Sequence, residues 1–440
     1  MAKAKSKKIT LEEALVPVEE QPYEVPENWC WVKLSYIADI RTGRKDANYG
    51  NEDGEYYFFT CASEPIRCDD YSYDCKAILL AGNGDVGNIS IYEGKFEAYQ
   101  RTYIVETKEN IITEYLYYYF KYRWVDYNND KMFGTAIPYI RLGNLNEFEI
   151  PVPPLSEQQR IVEQIESLFA KLDEAKEKAQ EVIDGVETNI EAVLYNAFSG
   201  KLTQYWRKEN RVDYNWENST LSKIVSGLKY GSSEKSDYNN NGTPVLRIPN
   251  IGEGVIDFSD LKYMQGELGN SYHEVFENDI LIIRSNGSRD LVGKCAIVPA
   301  LERRYAYASF LIRIKASDKV LPKYLVRYIN SSMARGQLFA KAKSSSGIHN
   351  INSKELGSIR IDVPTIEEQT EILKIIEPLI KKELDVKDIT SNMIENIAEL
   401  KKSILAKAFR GELGTNVSSE ENSIELIKKM IGRDKIERKD

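Results

Sequence analysis

The sequence predicts an α+β protein in which two β-rich globular units, in a pseudo-two-fold arrangement, are separated by two long antiparallel coiled-coil helices. Three observations predict this fold class. The chain has 440 residues, which is too long for one ordinary core. Motifs of its first half recur in its second half. Two stretches, one of them the 42 residues from Ser156 to Ala197, carry apolar residues at helical spacing along their length.

The internal repeat is clearest where the two helical stretches start and stop. At an offset of 211 residues, two motifs recur: PPLSEQ at 153–158 as PTIEEQ at 364–369, and AFSGKL at 197–202 as AFRGEL at 408–413. An offset of 187 aligns Trp29 with Trp216, so the middle of the second half is longer by 211 − 187 = 24 residues. The chain is therefore predicted to be a duplicated unit whose middle has diverged.

Each helical stretch has apolar residues at alternating steps of three and four, as in the seam of a coiled coil. Ser156-x-x-Gln159 and Thr365-x-x-Glu368 are predicted capping boxes near the start of each stretch. Gly200 and Gly411 are typical helix stops after each stretch. The seams have polar breaks at Asn189, Glu383 and Thr390, which either set the register of the pair or face solvent. Two independent helices are the alternative, which a length of about 63 Å disfavours. The predicted seam consists of Ile161, Ile165, Leu168, Leu172, Val182, Val186, Ile372, Ile376, Leu379, Met393, Ile397 and Leu400.

The globular units read as strand-rich with short helices. The first unit has predicted strands at 55–59, 77–80, 89–92 and 101–105, followed by a helix over 113–123. The second unit has predicted strands at 279–283 and 292–298, followed by a helix near 322–330. The same order of strands and helix in both halves supports the duplication.

A glycine-rich stretch after the strand 77–80 contains Gly82, Gly84 and Gly87 in the G-x-G-x-x-G spacing of a dinucleotide-binding loop. That fingerprint also needs a helix directly after the glycines. Residues 88–92 instead alternate polar and apolar side chains, as a strand does, and the second copy keeps only Gly293 at the position of Gly87. The prediction is a turn between two paired strands; an enzyme that uses this loop is the weaker alternative.

Composition excludes several classes of protein. No apolar run approaches the length of a membrane span, and the start of the chain lacks the apolar core of a secretory signal. The net charge is −9, but it is unevenly distributed. Residues 27–150 contain 13 Lys and Arg and 20 Asp and Glu, a net charge of 13 − 20 = −7. Residues 217–355 contain 19 Lys and Arg and 14 Asp and Glu, a net charge of 19 − 14 = +5, and phosphates would favour this positive excess.

Catalytic and metal-binding motifs are not recognisable in the sequence. It lacks a P-loop, a G-x-S-x-G elbow and an H-E-x-x-H motif. Cys61, Cys68 and Cys75 recur every seven residues, but no C-x-x-C pair occurs and the two histidines, His273 and His349, are far away. We predict neither catalytic residues nor a metal site, and free thiols in a reducing cytoplasm.

The paired helix motifs, together with VPENW at 25–29, resemble the specificity subunit of type I restriction-modification enzymes over nearly the whole chain. The resemblance implies two target recognition domains, each of which reads one half of a split DNA sequence. It also implies that the helices set the gap between the halves and bind two methyltransferase subunits, and that restriction subunits join them.

The same resemblance implies a subunit without catalysis of its own, which directs adenine methylation and restriction by its partners. S-adenosylmethionine, ATP and Mg are then expected only on partner subunits. Phe169 and Phe198, on the helices, are expected to expose apolar surface for those subunits. A coiled-coil scaffold with two duplicated β-rich modules that bind proteins and not DNA is the alternative.

The resemblance also suggests a division of the chain. The predicted segments are an N-terminal arm at 1–26, a first recognition domain at 27–150, a first spacer helix at 151–203, a second recognition domain at 204–360, a second spacer helix at 361–414 and a charged C-terminal tail at 415–440.

Base readout needs Arg, Lys, Asn, Gln, Ser and similar polar side chains on loops. The predicted DNA contacts of the first domain are Asn83, Asp85, Asn88, Gln100, Arg101, Lys131, Thr135, Tyr139 and Arg141. Those of the second domain are Arg247, Asn250, Arg284, Asn286, Ser288, Arg289, Lys294, Lys343, Ser345, Ser346 and His349. For any single residue, a solvent-facing position is about as expected as a contact.

Overall fold

The structure is a computed structural model that describes residues 10–265, 273–345 and 347–437. For residues 343–345 and 433–437 it describes the backbone only. Its contacts divide the chain into unit 1, Met1–Lys178 with Met393–Asp440, and unit 2, Ala179–Asn392. Among the helices of the described residues, none is both long and apolar enough to span a bilayer.

Unit 1 consists of a mixed sheet, a helix on it and the surrounding arm and tail. Its elements up to the first long helix are α1 (Leu11–Ala14), β1 (Cys30–Lys33), α2 (Leu34–Ile37), β2 (Ala38–Thr42), β3 (Tyr56–Phe59), β4 (Ile66–Cys68), β5 (Tyr73–Ala81), β6 (Ile89–Ala98), β7 (Thr102–Thr107), α3 (Thr113–Asn128), α4 (Leu142–Asn146), β8 (Glu149–Val152) and α5 (Leu155–Phe198). The six-stranded sheet has the order β2-β7-β5-β6-β3-β4, in which only β6 and β3 run parallel. The predicted strands and the helix at α3 are confirmed.

Unit 2 repeats this plan with additional strands. Its elements after α5 are α6 (Gln204–Asn210), β9 (Glu217–Thr220), α7 (Leu221–Ile224), β10 (Val225–Tyr230), β11 (Ser236–Asp237), β12 (Thr243–Leu246), β13 (Gly254–Val255), β14 (Lys262–Met264), β15 (Ile280–Ile283), β16 (Ser285–Asn286), β17 (Cys295–Ile297), β18 (Ala306–Tyr307), β19 (Leu311–Ala316), α8 (Pro322–Asn330), α9 (Ser332–Lys341), β20 (Lys343–Ser345), β21 (Ile348–Asn350), α10 (Ser353–Gly357), β22 (Arg360–Val363) and α11 (Ile366–Phe409). The last helix, α12 (Ser423–Glu437), belongs to unit 1.

The two units share a sheet topology, which confirms the predicted duplication. The order β10-β19-β15-β17-β13 in unit 2 matches β2-β7-β5-β6-β3 in unit 1, including the parallel pair at its end. A two-strand ladder also recurs, β1 with β8 and β9 with β22. The separate sheet β11-β14-β12-β18 lies in the longer middle of the second half and distinguishes unit 2.

The glycine-rich stretch is the turn of a hairpin, as predicted. Strands β5 and β6 pair antiparallel up to Leu80 and Ile89, directly on either side of the glycines. Gly84 has a φ of 72°, which a residue with a Cβ adopts only with strain. Because the strand β6 and not a helix follows the glycines, the loop lacks the strand–glycine–helix order of the dinucleotide fingerprint, and that interpretation is wrong.

The long helices α5 and α11 contain 44 residues each and run antiparallel. In unit 2 the Asn189 side-chain amide donates to the Glu383 carboxylate at 3.2 Å, and Lys387 lies 3.9 Å from Glu187. Two of the polar breaks in the seam therefore contact each other, and Asn189 is also exposed to solvent.

The buried stripe along these helices departs from the predicted seam. Val182, Leu379, Met393 and Leu400 are 41–51% exposed. Their neighbours are more enclosed: Ile183, Ile380, Ile394 and Lys401. Leu168 and Leu172 are half-buried, while the remaining predicted members, Ile161, Ile165, Val186, Ile372, Ile376 and Ile397, are buried. A straight helix drifts about 20° per heptad relative to a 3.5-residue repeat, so a stripe assigned by strict heptads moves off the contact face.

The repeated Glu-Gln dipeptide attaches each helix start to its globular unit. Gln158 accepts a backbone hydrogen bond from Ile112 at 2.9 Å, and Gln369 accepts the equivalent bond from Leu321 at 2.8 Å. Both glutamines are fully buried. The preceding glutamates accept bonds from Trp29 and Trp216, described below, so the recurrence of these motifs follows from the same buried network in each unit.

Three details of the helix ends differ from expectation. Ser156 does not form the predicted capping box, since its hydroxyl donates to Glu420 at 2.8 Å. Phe198 is only 3% exposed, and Phe169 packs beside the core of unit 1, so neither offers the expected free apolar surface. The segment 415–440 is not simply a charged tail, because α12 buries apolar side chains in the core of unit 1: Ile427, Met430 and Ile431.

Candidate nucleic-acid interface

In unit 1, backbone hydrogen bonds bring a strand end, a turn and a hairpin together. The N–H of Gly82 donates to Arg101 at 2.8 Å, and Gly82 accepts from Ile140 at 2.9 Å. Phe133 and Tyr139 exchange two bonds of 2.9 Å across the hairpin, and Asn83 bridges to Tyr139. We call this region surface 1, made of Asn83, Gln100, Arg101, Tyr139, Arg141 and the hairpin 131–140.

Arg141 is the most defined cation of surface 1. Its guanidinium donates to the Tyr139 hydroxyl at 3.2 Å and lies 4.0 Å from the centre of the Phe133 ring. Its backbone N–H donates to Asn144 at 3.0 Å, which fixes it at the start of α4. Gln100 and Arg101 line a concavity of 280 Å³ at the same edge. The surface thus presents an exposed arginine whose plane is held by an aromatic neighbour.

Arg44, Lys45 and Arg101 lie on neighbouring loops at this edge, although segment 27–150 is acidic overall. The N–H groups of Arg44 and Lys45 both donate to the carbonyl of Ala98, which places their loop against the turn that carries Gln100 and Arg101. The carboxylate of the adjacent Asp46 accepts a bond from Gln100 at 3.2 Å. The charge of a whole segment therefore does not describe the charge of the surface.

The other four predicted contacts of unit 1 either bond within the glycine-rich turn or lie in the hairpin of surface 1. Asp85 accepts from Gly87 at 3.0 Å, and Asn88 donates to Ala62 at 2.5 Å, so both stabilise the glycine-rich turn. Lys131 lies 3.4 Å from the centre of the Tyr127 ring, and burial lowers the pKa of its ammonium. Thr135 is exposed in the hairpin 131–140.

In unit 2 the same backbone frame carries different side chains. Arg284 donates its N–H to Phe310 at 2.9 Å and accepts from Ile351 at 2.8 Å, as Gly82 does in unit 1. Strand β16 pairs with β21 through Asn286 and His349. We call this region surface 2, made of Tyr230, Arg284, Asn286, Ser309, Phe310 and the hairpin strands β20 and β21.

The Arg284 side chain is held within surface 2. Its two terminal nitrogens donate to the Ser309 carbonyl at 3.3 Å and to the Asn350 amide oxygen at 3.2 Å. Its guanidinium carbon lies 4.7 Å from the centre of the Tyr230 ring. Its buried Nε makes no hydrogen bond to the residues that the structure describes. The group is therefore oriented but retains unused hydrogen-bonding capacity.

The structure separates several predicted contacts from surface 2. Asn250 is 1% exposed and donates to the carbonyls of Asp257 and Asp260, so it is a structural residue rather than a DNA contact. Arg247 pairs with Asp260 at 2.9 Å. Lys294 lines a cleft of 270 Å³ beside α5 and α11, away from β16 and β21.

The remaining predictions fall near or outside this surface. Asn286 accepts the N–H of Ser288 at 2.7 Å, which keeps Ser288 in the β16 turn. Arg289 lies 5.1 Å from the centre of the Phe339 ring. Ser346 and the side chains of Lys343 and Ser345 lie outside the described residues.

Sequence reasoning missed the aromatic and amide supports of both surfaces, which are Phe133, Tyr230, Phe310 and Asn350. An available signal was the offset of 211 applied to the hairpins, since it aligns Tyr139 with Asn350 and Ile137 with Ile348. Among the described residues, no cluster of His, Cys, Asp and Glu could hold a metal ion.

Comparison with known proteins gives a consistent result. A family model for the type I restriction modification DNA specificity domain matches residues 26–183 and 214–396. The EcoDI specificity subunit of Escherichia coli is 28% identical over 440 residues, which cover 92% of this chain and 95% of that protein. The EcoKI specificity subunit of Escherichia coli K12 is 30% identical over 307 residues, 68% of this chain and 66% of that protein.

Solved structures show the same fold at lower sequence identity. A chain from a study of complex assembly and conformational transition of the type I R-M system has a TM-score of 0.69 at 19% identity, covering 89% of this chain and all of that one. The HsdS subunit from Thermoanaerobacter tengcongensis has a TM-score of 0.54 at 18% identity, covering 90% of this chain and 100% of that one.

Proposed function

The chain belongs to the type I restriction-modification DNA specificity family, and on that premise we propose that it reads a two-part DNA target, with surface 1 reading one half and surface 2 the other. In this proposal it directs adenine methylation and restriction by partner subunits. Its role is sequence specificity, and type I specificity subunits are not themselves catalysts. Nothing in the comparisons favours a scaffold without DNA.

The observation that carries this proposal is the equivalence of the two surfaces. Each is built from the same backbone bonds, but Gly82 stands where unit 2 has Arg284, and Tyr139 stands where it has Asn350. Two domains that recognise different base sequences require different side chains on the same backbone structure. Arginine reads guanine, and asparagine reads adenine, through paired hydrogen bonds in the major groove.

The proposed partners are two methyltransferase subunits and the restriction subunits, on which S-adenosylmethionine, ATP and Mg would be bound. Exposed apolar side chains on α11 support docking of a protein along this helix, among them Leu379, Ile389 and Leu400. Because its substrate is chromosomal DNA, we propose that the complex works in the cytoplasm.

The test is to co-express the chain with its methyltransferase partner in a host without such a system and to map methylated adenines. We expect one split sequence with a fixed gap. Arg141→Gln should alter one half of that sequence, whereas Arg123→Gln, the same change on α3 outside surface 1, should leave both halves unchanged. Methylation without a split motif, or no methylation and no DNA binding, would overturn the proposal.

A further inference from the structure

The tips of the two hairpins each expose an isoleucine. Ile137 is 62% exposed in unit 1, and Ile348 is 51% exposed in unit 2. They are equivalent, since 348 − 137 = 211, the offset of the repeat. Across the ten positions of hairpins 131–140 and 342–351, only two residues are identical at this offset: Ile137 with Ile348, and Ile140 with Ile351.

Packing explains one of these identities but not the other. Ile140 and Ile351 are 3% and 0% exposed, so each fills the core of its unit. The exposed pair contributes little to either core. A large aliphatic group left in water gains nothing from folding, because the hydrophobic effect rewards only area removed from water. The retention of isoleucine in two diverged copies therefore points to something that covers it.

The hairpins hold these side chains in defined positions. In unit 1 the paired bonds between Phe133 and Tyr139 close the hairpin two residues beyond Ile137. In unit 2, Ile348 pairs with Ser345 within the ladder of β20 and β21. A fixed side chain loses less conformational entropy when it is covered than a mobile one.

The neighbouring groups identify what covers them. Tyr139 and Arg141 follow Ile137 within four positions of the chain and are hydrogen-bonded to each other, while His349 follows Ile348 and pairs across the ladder with Asn286. A two-stranded β-ribbon fits the major groove of DNA, where such groups donate to base edges and the one apolar feature is the thymine methyl group.

From this placement we propose that Ile137 and Ile348 each pack on a thymine methyl group, one in each half of the DNA target. The inference rests on the proposed function and deepens it. It makes these residues specificity-determining contacts that read thymine by shape, next to side chains that read by hydrogen bonds.

The test uses the full chain in complex with its methyltransferase partner and duplexes of the mapped target. In separate duplexes, each thymine is replaced by deoxyuridine, which lacks only the methyl group. For the parent complex we expect one thymine in each half whose replacement weakens binding by about threefold to tenfold. Ile137→Ala should weaken binding to the thymine duplex similarly and should no longer respond to deoxyuridine at that position in its half; Ile348→Ala should do the same for the other half.

Two control variants exclude trivial causes. Ile66→Ala removes an isoleucine that is 44% exposed on β4 of the same unit, and it should bind as the parent does. Ile137→Val retains a branched aliphatic group and should keep most of the response to deoxyuridine. An unchanged melting temperature in Ile137→Ala is expected, because the residue lies outside the core.

Several results would overturn the inference. The first is an Ile137→Ala variant with parental DNA affinity. The second is independence of the two changes, in which deoxyuridine weakens DNA binding by Ile137→Ala as much as it weakens binding by the parent. The third is weakened association with the methyltransferase at unchanged DNA affinity. A parent complex that prefers no sequence would instead overturn the proposed function, and so the two failures are distinguishable.

Discussion

Replacing Glu368 by alanine should destabilise unit 2 more than any comparable change in unit 1. The Glu368 carboxylate is 1% exposed and accepts bonds from Trp216 at 2.9 Å and from Thr203 at 2.6 Å. It also forms an ion pair with Arg207, which is itself only 8% exposed. The substitution leaves a buried guanidinium without its counter-charge, which we expect to cost about 3–5 kcal/mol.

The equivalent glutamate of unit 1 provides the comparison. Glu157 accepts from Trp29 at 2.8 Å, from Asn416 at 2.9 Å and from Thr415 at 3.3 Å, all of them neutral donors. Glu157→Ala leaves polar groups without a hydrogen-bond partner but leaves no unpaired charge. We therefore expect the free energy of unfolding to fall by about 1–3 kcal/mol. The two variants should therefore differ by roughly 2 kcal/mol in the free energy of unfolding.

The assay is urea-induced unfolding, with hydrogen exchange at the start of each long helix to assign the loss to its unit. Glu367→Ala, at the exposed neighbouring position, is the matched control and should be near neutral. The double variant Arg207→Met with Glu368→Gln should recover much of the loss, since it removes the unpaired charge. Equal losses in Glu368→Ala and Glu157→Ala, or no recovery in the double variant, would refute this account of the buried pair.

Three further outcomes follow from the described contacts. Arg284→Ala should weaken binding by about 1–3 kcal/mol if the group reads a guanine, and mapped methylation should relax in one half-target only; equal loss in both halves would indicate a phosphate contact or a damaged fold. Four residues inserted near Glu187 and four near Ala398 extend the helix pair by about 6 Å, so the gap in the target should lengthen by about one to two base pairs; an active protein with an unchanged gap would show that the helices do not set it. A hydrogen bond from Arg160 lowers the pKa of Glu420 below its ordinary 4.5, so its contribution to unit 1 is present above that pH and is lost as the pH falls further; Glu420→Gln should flatten this acid dependence of unfolding, and an unchanged profile would contradict it.

The sequence was sufficient for features that local rules determine. Regular apolar spacing and terminal glycines placed both long helices, while an apolar run placed β5 and alternation after the glycines placed β6. The register of the buried stripe was not predictable to one residue, because the drift between 3.5 and 3.6 residues per turn accumulates over 44 residues.

The candidate site was predictable only in part. Loop position and residue type identified Arg141, Arg284 and Asn286, but neither indicates whether a polar group is already satisfied inside the protein. Asn250 illustrates the difficulty, since its bonds to two backbone carbonyls depend on tertiary contacts that no local pattern encodes. The offset of 211 residues between the hairpins aligns Tyr139 with Asn350 and Ile137 with Ile348, and residue type alone does not indicate this equivalence.

The hydrogen-bond donors to the two buried glutamates, Glu157 and Glu368, are connected differently along the chain. In unit 2 one continuous stretch of chain leads from the end of α5 through Thr203 and Arg207 to Trp216. In unit 1 the corresponding junction joins separate stretches of the polypeptide: Asn28 donates to Val417, 389 positions away, and accepts from Ser423. Hydrogen bonds in unit 1 thus stand where unit 2 has peptide bonds. Two copies of one architecture consequently differ in connectivity: the unit 2 junction is continuous along the chain, whereas the unit 1 junction depends on noncovalent contacts between distant segments.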